Sequence, residues 1–505
     1  MPGPSSHPVD IESLHADLDE RITTLRGNAD AVAASRAVVE DALDEGEALY
    51  GINTGFGALA QKQIPIEKLE KLQRNLVFSH AVGVGDLVPK HISRLILRLK
   101  IHALGLGYSG VSRETFERLL TFAENDLIPA LPSRGSVGAS GDLAPLAHMA
   151  LPLLGKGQFW TQDGSDVRPA GEVLDEHDLD PITLHPKDGL SLINGTQLMS
   201  GYGAHVLHET RRLVRMADLL AAMSLEALQG SIKPFDERLH EVRPHPGAQH
   251  VAENIRTLLV DSEILESHRH CGKVQDPYCL RCVPQVHGAS RDALRHATEM
   301  VEREINSVTD NPIVFENGDV ISAGNFHGQP LALALDYAGI ALAELASISE
   351  RRTYLLLEGH DGLPELLMED TGLNSGYMIP QYTAAALVSE NKSLAHPASV
   401  DSIPTSLGQE DHVSMGSIGA VQLLDILENV ERVLAIELLT AAQALDYRLP
   451  LRPGKGVEIA HEVVRDTVPH REEDYLFEND IDESLDFVRR STLLDAVEEA
   501  LSPLR

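Results

Sequence analysis

The sequence predicts an all-α protein, with a smaller N-terminal domain followed by an elongated bundle of long helices. Apolar residues fill 43% of the 505 positions while aromatics fill 4%. A core of that composition is built from Ala, Leu, Val and Ile, the residues of extended helices and not of an aromatic-rich sandwich. Four stretches, 196–229, 285–307, 328–357 and 412–447, hold helical apolar spacing over many turns. In the last, Leu423, Leu427, Val430, Leu434 and Leu438 recur at three and four residues, and Gln422, Asp425, Glu428 and Arg432 fall elsewhere. At 1.5 Å per residue this helix spans roughly 50 Å, wider than a small domain. Helices of that length bury their stripes in a bundle, which points to one shared between subunits.

The remaining elements follow in chain order. Residues 11–47 read as charged helix, and "LYGINTGFGALA" (49–60) breaks it with three glycines and an asparagine. Helical spacing resumes over 66–77 and 89–104, and "GLGYSG" then punctuates the chain near residue 108. The expected division is 1–108 and 109–505. In the second part Asp142 is placed to cap a helix with Pro145 in its first turn and Gly155 just past its end. Residues 160–181, "WTQDGSDVRPAGEVLDEHDLDP", read as a solvated, turn-rich excursion.

Charge narrows the function. With 76 acidic against 42 basic residues the formal charge is −34, which repels phosphate backbones and anionic lipid surfaces and disfavours nucleic-acid and membrane roles. Only 11 residues are lysine. An acid-rich, lysine-poor surface suits concentrated salt, where screening removes the repulsion between carboxylates. The opening "MPGPSSHPVD" has no basic region followed by an apolar one, and no apolar run reaches the ~18 residues of a membrane helix. Three cysteines make no disulfide framework and suit a reducing cytoplasm.

The stretch "RGSVGASGDLAP" (134–145) carries the chemistry. Its glycines at 135, 138 and 141 give GxxGxxG, neither phosphate-binding pattern, and Asp142 puts negative charge where a phosphate would lie. Read as a nucleophile elbow, Ser140 lacks the required glycine two residues on. A plain turn before a helix remains compatible with the composition. A third chemistry uses the backbone: the Gly141 amide nitrogen attacks the Ala139 carbonyl carbon, small residues permitting the approach. Loss of one water closes a five-membered ring, and loss of the Ser140 hydroxyl as a second leaves an exocyclic methylene, a 4-methylidene-imidazol-5-one.

"GSVGASGDLAPLAH" resembles the signature of the aromatic amino acid ammonia-lyases, and the resemblance runs over nearly the whole chain. "YGINTGFG", "LQRNLVFSHAVGVG", "KDGLSLINGTQ", "KVQDPYCLRCVPQVHGA", "SVTDNPIVF", "GNFHG" and "QEDHVSMG" follow in the family's order. The set is similar to the histidine-directed members. It implies elimination of ammonia from L-histidine to give trans-urocanate, the first step of histidine breakdown. It also implies an α-helical homotetramer with active sites shared between subunits, and a ring self-formed from Ala139, Ser140 and Gly141 with no external cofactor.

Residue roles carry over by motif. Tyr50 matches the catalytic tyrosine, on a Gly-rich loop able to close over the site, and Tyr278 the tyrosine that assists orientation. Arg281 matches the residue that grips the substrate carboxylate through its planar fork. Asn194 and Gln275 match amides bonded to the ring or substrate, and Phe326 the aromatic packed beside the ring. His80 matches a position facing the substrate ring. Glu410 discriminates most, because a buried carboxylate pairs with an imidazole N–H and not with a phenyl ring; phenylalanine- and tyrosine-directed relatives carry Gln there. Each residue taken singly also has a bland reading, such as a loop anchor, a helix-end acid or a core Phe.

His270, Cys271, Cys279 and Cys282 fall within 13 residues and imitate a zinc site. They lie inside the "HCGKVQDPYCLRC" motif, so no metal is expected. A hydrolase using Ser140 and a non-catalytic helical scaffold are the alternatives from other classes. A phenylalanine or tyrosine ammonia-lyase or aminomutase is the alternative within the family. The charge balance generates the first prediction: the thermal midpoint rises as KCl is raised from dilute buffer to molar concentration. Equal stability at both ends of a differential scanning series contradicts the salt reading.

Overall fold

The computed structural model describes residues 8–45, 49, 52–54, 64–270 and 272–505. The all-α expectation holds. The long helices are Gln197–Ala227, Val283–Ile305, Gln329–Leu356 and Gly416–Asp446, each within a few residues of its predicted span. The last begins four residues later than the apolar spacing suggested, because Met415 has φ +55° and the preceding chain turns at Ser406 and Leu407. Its stripe residues Leu423, Leu427, Val430, Leu434 and Leu438 are all buried.

The N-terminal helical stretch divides at Asn28 into Leu14–Gly27 and Asp30–Glu45. The expected excursion is more ordered than its composition suggested. Gln158–Trp160 pairs antiparallel with Val167–Pro169, and Ala170–Glu176 forms a short helix. The other strand pairs are Val84–Leu87 with Pro132–Arg134 and Ile313–Val314 with Val320–Ile321. Gln329–Leu356 is long and apolar enough to cross a membrane by length and composition, despite its scattered charges, with mean hydropathy 1.6. It corrects the expectation that no segment meets that test. Because 61% of its apolar window is buried within the protein, it has the character of a core helix.

Packing divides the chain into two compact units of three segments each. One comprises 1–208, 297–336 and 397–421, the other 209–296, 337–396 and 422–505. This is a partition by contact, whereas the division at residue 108 is a cut along the sequence. In the first unit, Leu14–Gly27, Lys90–Gly105 and Arg113–Glu124 pack on one another. The Arg113 helix is capped by Ser112, whose hydroxyl accepts from Thr115 N. Buried Asp188 accepts from Ser112 N at 2.7 Å, Ser112 Oγ at 2.7 Å and Thr115 Oγ1 at 2.9 Å, so that cap is tied to the short helix Asp188–Ile193. Leu69–His80 packs on both Asp188–Ile193 and Leu143–Ala150, which fixes the end of the helix where His80 stands.

In the second unit a buried ion pair sits among the long helices. Arg352 donates to Glu437 through Nε at 2.5 Å and Nη2 at 2.8 Å, both side chains are fully buried, and Ser224 Oγ also donates to Glu437 at 2.7 Å. Beside it Asp218 accepts from Arg291 at 2.6 Å and Asn254 at 2.8 Å and is bonded to His287 Nδ1 at 2.7 Å. Removing one member strands a buried charge, which costs about 3–5 kcal/mol. Arg352→Met is therefore expected to lower the thermal midpoint markedly, and Arg352→Met combined with Glu437→Met to lower it less. A double variant no better than the single one contradicts this.

Candidate active site

The glycine-rich segment takes the conformation its composition allows. Gly135, Gly138 and Gly141 have φ of +125°, +69° and +72°, backbone that residues with a Cβ rarely adopt. Two of them are also pressed by neighbours: a Cβ on Gly138 would lie 2.1 Å from Ser414 Oγ, and one on Gly141 2.0 Å from Gly195 O. The bend closes on itself through Ser136, whose hydroxyl accepts from Gly138 N at 3.1 Å and donates to Gly141 O at 3.3 Å.

Two other segments of the same unit brace this bend. On one side Met415 N donates to Val137 O at 2.9 Å and Ser417 Oγ to Ser136 O at 2.8 Å. Ala139 is buried against Val413 and Met415. On the other side Asp142 N donates to Gly195 O at 2.8 Å and Gly195 N to Ser140 O at 3.3 Å. Asp142 stands at the expected N-cap of Leu143–Ala150, yet its side chain makes no capping bond there. The carboxylate accepts from Leu198 N at 3.0 Å and Met199 N at 3.1 Å, at the start of Gln197–Ala227. Burial pushes its pKa up to about 7 against the pull of those two N–H groups.

Asn194 is the hub beneath Ser140. Ser140 Oγ donates to Asn194 Oδ1 at 2.8 Å, and Asn194 Nδ2 donates to Asn311 O at 2.8 Å and Asp310 Oδ1 at 3.4 Å. The Asn194 carbonyl accepts from Lys100 Nζ at 2.5 Å. Asp310 also receives Lys187 Nζ at 2.7 Å. Both lysines are buried. Burial pushes Lys100 down to about 7, with Asp310 opposing the shift and Lys187 adding to it.

His80 and Glu410 lie in this unit as well. His80 Nδ1 meets Leu76 O at 2.8 Å; a carbonyl only accepts, so Nδ1 bears the proton and Nε2 keeps its lone pair in the neutral ring. Burial lowers the His80 pKa, while the bond to Leu76 O and the negative charge of Glu410 act to raise it. Glu410 accepts from Thr405 Oγ1 at 2.7 Å and is half-buried. Phe326 is half-buried in the loop before Gln329–Leu356. The neighbouring His327 meets His412 O through Nε2 at 3.1 Å and stacks on its ring with centroids 5.9 Å apart.

Ala139, Ser140, Gly141, Asn194, His80, Glu410 and Phe326 thus belong to one compact unit. Gln275, Tyr278 and Arg281 belong to the other. There the Arg281 guanidinium lies 4.6 Å over the Tyr278 ring, Tyr278 is 69% exposed, and Gln275 is exposed. Tyr50 and Cys271 lie outside the described residues. Cys279 and Cys282 are free, and burial pushes the Cys279 thiol up, away from reactivity. Among the described residues no group of three or more His, Cys, Asp or Glu is placed to hold a metal.

The aromatic amino acid lyase family matches residues 9–466 of the chain. This chain belongs to that family. A protein named histidine ammonia-lyase from Gloeobacter violaceus is 51% identical over 98% of this chain and 98% of its own length. One of the same name from Sorangium cellulosum is 51% identical over 97% of this chain and 96% of its own. Among solved structures, histidine ammonia-lyase from Trypanosoma cruzi matches with TM-score 0.87 and 42% identity, covering 94% of this chain and 89% of that one. Tyrosine aminomutase from Streptomyces globisporus matches with TM-score 0.88 and 34% identity over 99% and 100%.

The residues present fit a lyase ring. The bend is compact, Gly141 has no room for a side chain, and both polar groups of Ser140 are held, its hydroxyl by Asn194 and its carbonyl by Gly195 N. Sequence reasoning missed Lys100, Lys187 and Asp310. Lys100 stands in the apolar run "LILRLKIHALG", where a lone lysine on a buried helix face was the available signal. The geometry around His80 predicts that its NMR titration midpoint lies below the ordinary 6.5. Glu410→Gln removes a charge that stabilises the imidazolium, so the midpoint falls further; an unchanged or higher value contradicts the coupling.

Proposed function

We propose that this chain eliminates ammonia from L-histidine to give trans-urocanate, the opening step of histidine breakdown. The observation that carries the reading is Ala139-Ser140-Gly141, bent tightly and held by Asn194 and Gly195, in a unit that also holds His80 and Glu410. The names of relatives about 50% identical over nearly the whole chain support it.

The difficulty of the reaction is that the β-hydrogen of histidine is barely acidic and the amine is a poor leaving group. The methylidene-imidazolone formed from residues 139–141 supplies an electrophile that no side chain offers. Asn194, Gly195, Val413 and Met415 would hold it. The chain's residues do the rest: Tyr50 takes the β-proton as general base, a role worth roughly 100- to 10,000-fold. His80, neutral through burial, offers Nε2 to a ring N–H, and Glu410 offers a carboxylate oxygen; a phenyl ring has no N–H for either. Arg281 grips the substrate carboxylate, Tyr278 and Gln275 orient substrate and ring, and Phe326 packs beside the ring.

The same reading takes the protein as a cytoplasmic homotetramer with sites shared between subunits, needing no external cofactor or metal and adapted to salt. Residues 1–108 form the domain with the Tyr50 loop and 109–505 the bundle. Phenylalanine or tyrosine lyase or aminomutase chemistry would use the same ring, but Glu410 argues against it.

The deciding assay is ultraviolet absorbance of purified protein with L-histidine in molar KCl. A growing urocanate band is expected, and no band from folded protein overturns the substrate assignment. Ser140→Ala is expected to keep the fold and lose roughly 1,000-fold or more in kcat, as when one member of a catalytic unit is removed. Near-normal turnover in that variant refutes the ring. Arg281→Met forfeits a charge-assisted contact of about 1.5–3 kcal/mol, which raises KM roughly 10- to 150-fold in steady-state kinetics.

A further inference from the structure

We infer that Lys100 is a positioning residue for ring formation, acting through the Asn194–Gly195 peptide on the Ser140 carbonyl. This rests on the ring reading above. Lys100 is 2% exposed, and its Nζ is aimed at a backbone carbonyl, Asn194 O, at 2.5 Å. Among the described residues no carboxylate forms an ion pair with it; Asp310, whose charge acts on Lys100, is paired with Lys187 at 2.7 Å. Taking an ammonium out of water is costly, and one neutral acceptor repays little of that cost. The peptide it touches continues to the site: Gly195 N, across the same amide, donates to Ser140 O at 3.3 Å. A cation on the carbonyl side of an amide withdraws electron density and makes its N–H a stronger donor, as bonds in a chain polarise one another.

Ser140 O is where charge develops as the ring forms. In the first stage the Gly141 nitrogen bonds to the Ala139 carbonyl carbon, and the Ala139 C–O bond breaks. The Ala139 oxygen leaves as water with the protons of the Gly141 and Ser140 amides. Removing the Gly141 amide proton delocalises negative charge onto Ser140 O. In the second stage the Ser140 Cα–H and Cβ–Oγ bonds break, the hydroxyl leaves as water with that proton, and a Cα–Cβ double bond remains. Removing the Cα proton again places charge on Ser140 O. Both proton losses are thus served by a stronger donor at that oxygen, the arrangement of an oxyanion hole with its cation one peptide back.

The test follows the loss of two waters by intact mass spectrometry in full-length protein sampled over time after induction. Wild type, Lys100→Arg, Lys100→Gln and Lys100→Met are compared, with circular dichroism to score folding. The expected result is roughly tenfold slower loss in Lys100→Gln and Lys100→Met, the scale of one charge-assisted bond, with recovery toward wild type in Lys100→Arg. If Lys100→Met does not fold, the Gln and Arg pair decides, because Gln keeps a donor without the charge. Equal rates in the folded Gln and Arg variants overturn the inference while leaving the ring intact. A wild type that never loses two waters overturns the ring itself.

Discussion

The structure depends on the exchange of bonds between the glycine-rich bend and the Asn194–Gly195 peptide. Asp142 N meets Gly195 O, Gly195 N meets Ser140 O, and the Ser140 hydroxyl meets Asn194 Oδ1. These contacts bring two segments of the chain close together, which Gly141 allows: a Cβ there would lie 2.0 Å from the Gly195 carbonyl oxygen. The rest of the first unit serves to keep that approach. Asp142 sends its carboxylate to the start of Gln197–Ala227, so the bend and the long helix are joined at a helix N-terminus, where negative charge is favoured.

The electrostatics under the bend follow from the same closeness. Burying Asp142, Lys100 and Lys187 shifts their titrations in opposite directions, with the acid at 142 and the base at 100 each pushed to about 7 and Lys187 lowered. Such groups persist only where the backbone over-determines them, and strongly perturbed titrations in one cluster mark a functional site. The buried network of Arg352, Glu437, Asp218 and His287 shows the contrast. There the charges pair directly across long helices, so that losing one member strands a buried charge on the other.

Much of this was legible in the sequence, for physical reasons. Long helices announce themselves by period, and Leu423 to Leu438 fell on the buried face as read. The bend was legible because Gly138 and Gly141 need backbone that few residues adopt. Three things were not. The helix Ala170–Glu176 was hidden by the turn-forming residues around it, and packing against the neighbouring strand pair overrode that composition. Asp142 read as an N-cap because local spacing favours that role, whereas its carboxylate is taken by amides more than fifty residues away. Lys100 left only a lone lysine in an apolar run as a signal, and its partner could not be read because a backbone carbonyl leaves no residue-type signature.

The bracing of the bend by Ser417 spans 281 positions of chain. At 5–20 residues per second of synthesis, roughly 15–55 seconds separate the appearance of Ser136 from that of its partner. Until then the tripeptide is an ordinary Ala-Ser-Gly held on one side only. On the proposed ring reading, cyclisation would wait for that partner: a chain truncated before residue 417 carries Ala139, Ser140 and Gly141 and lacks the Ser417 bond that braces the bend.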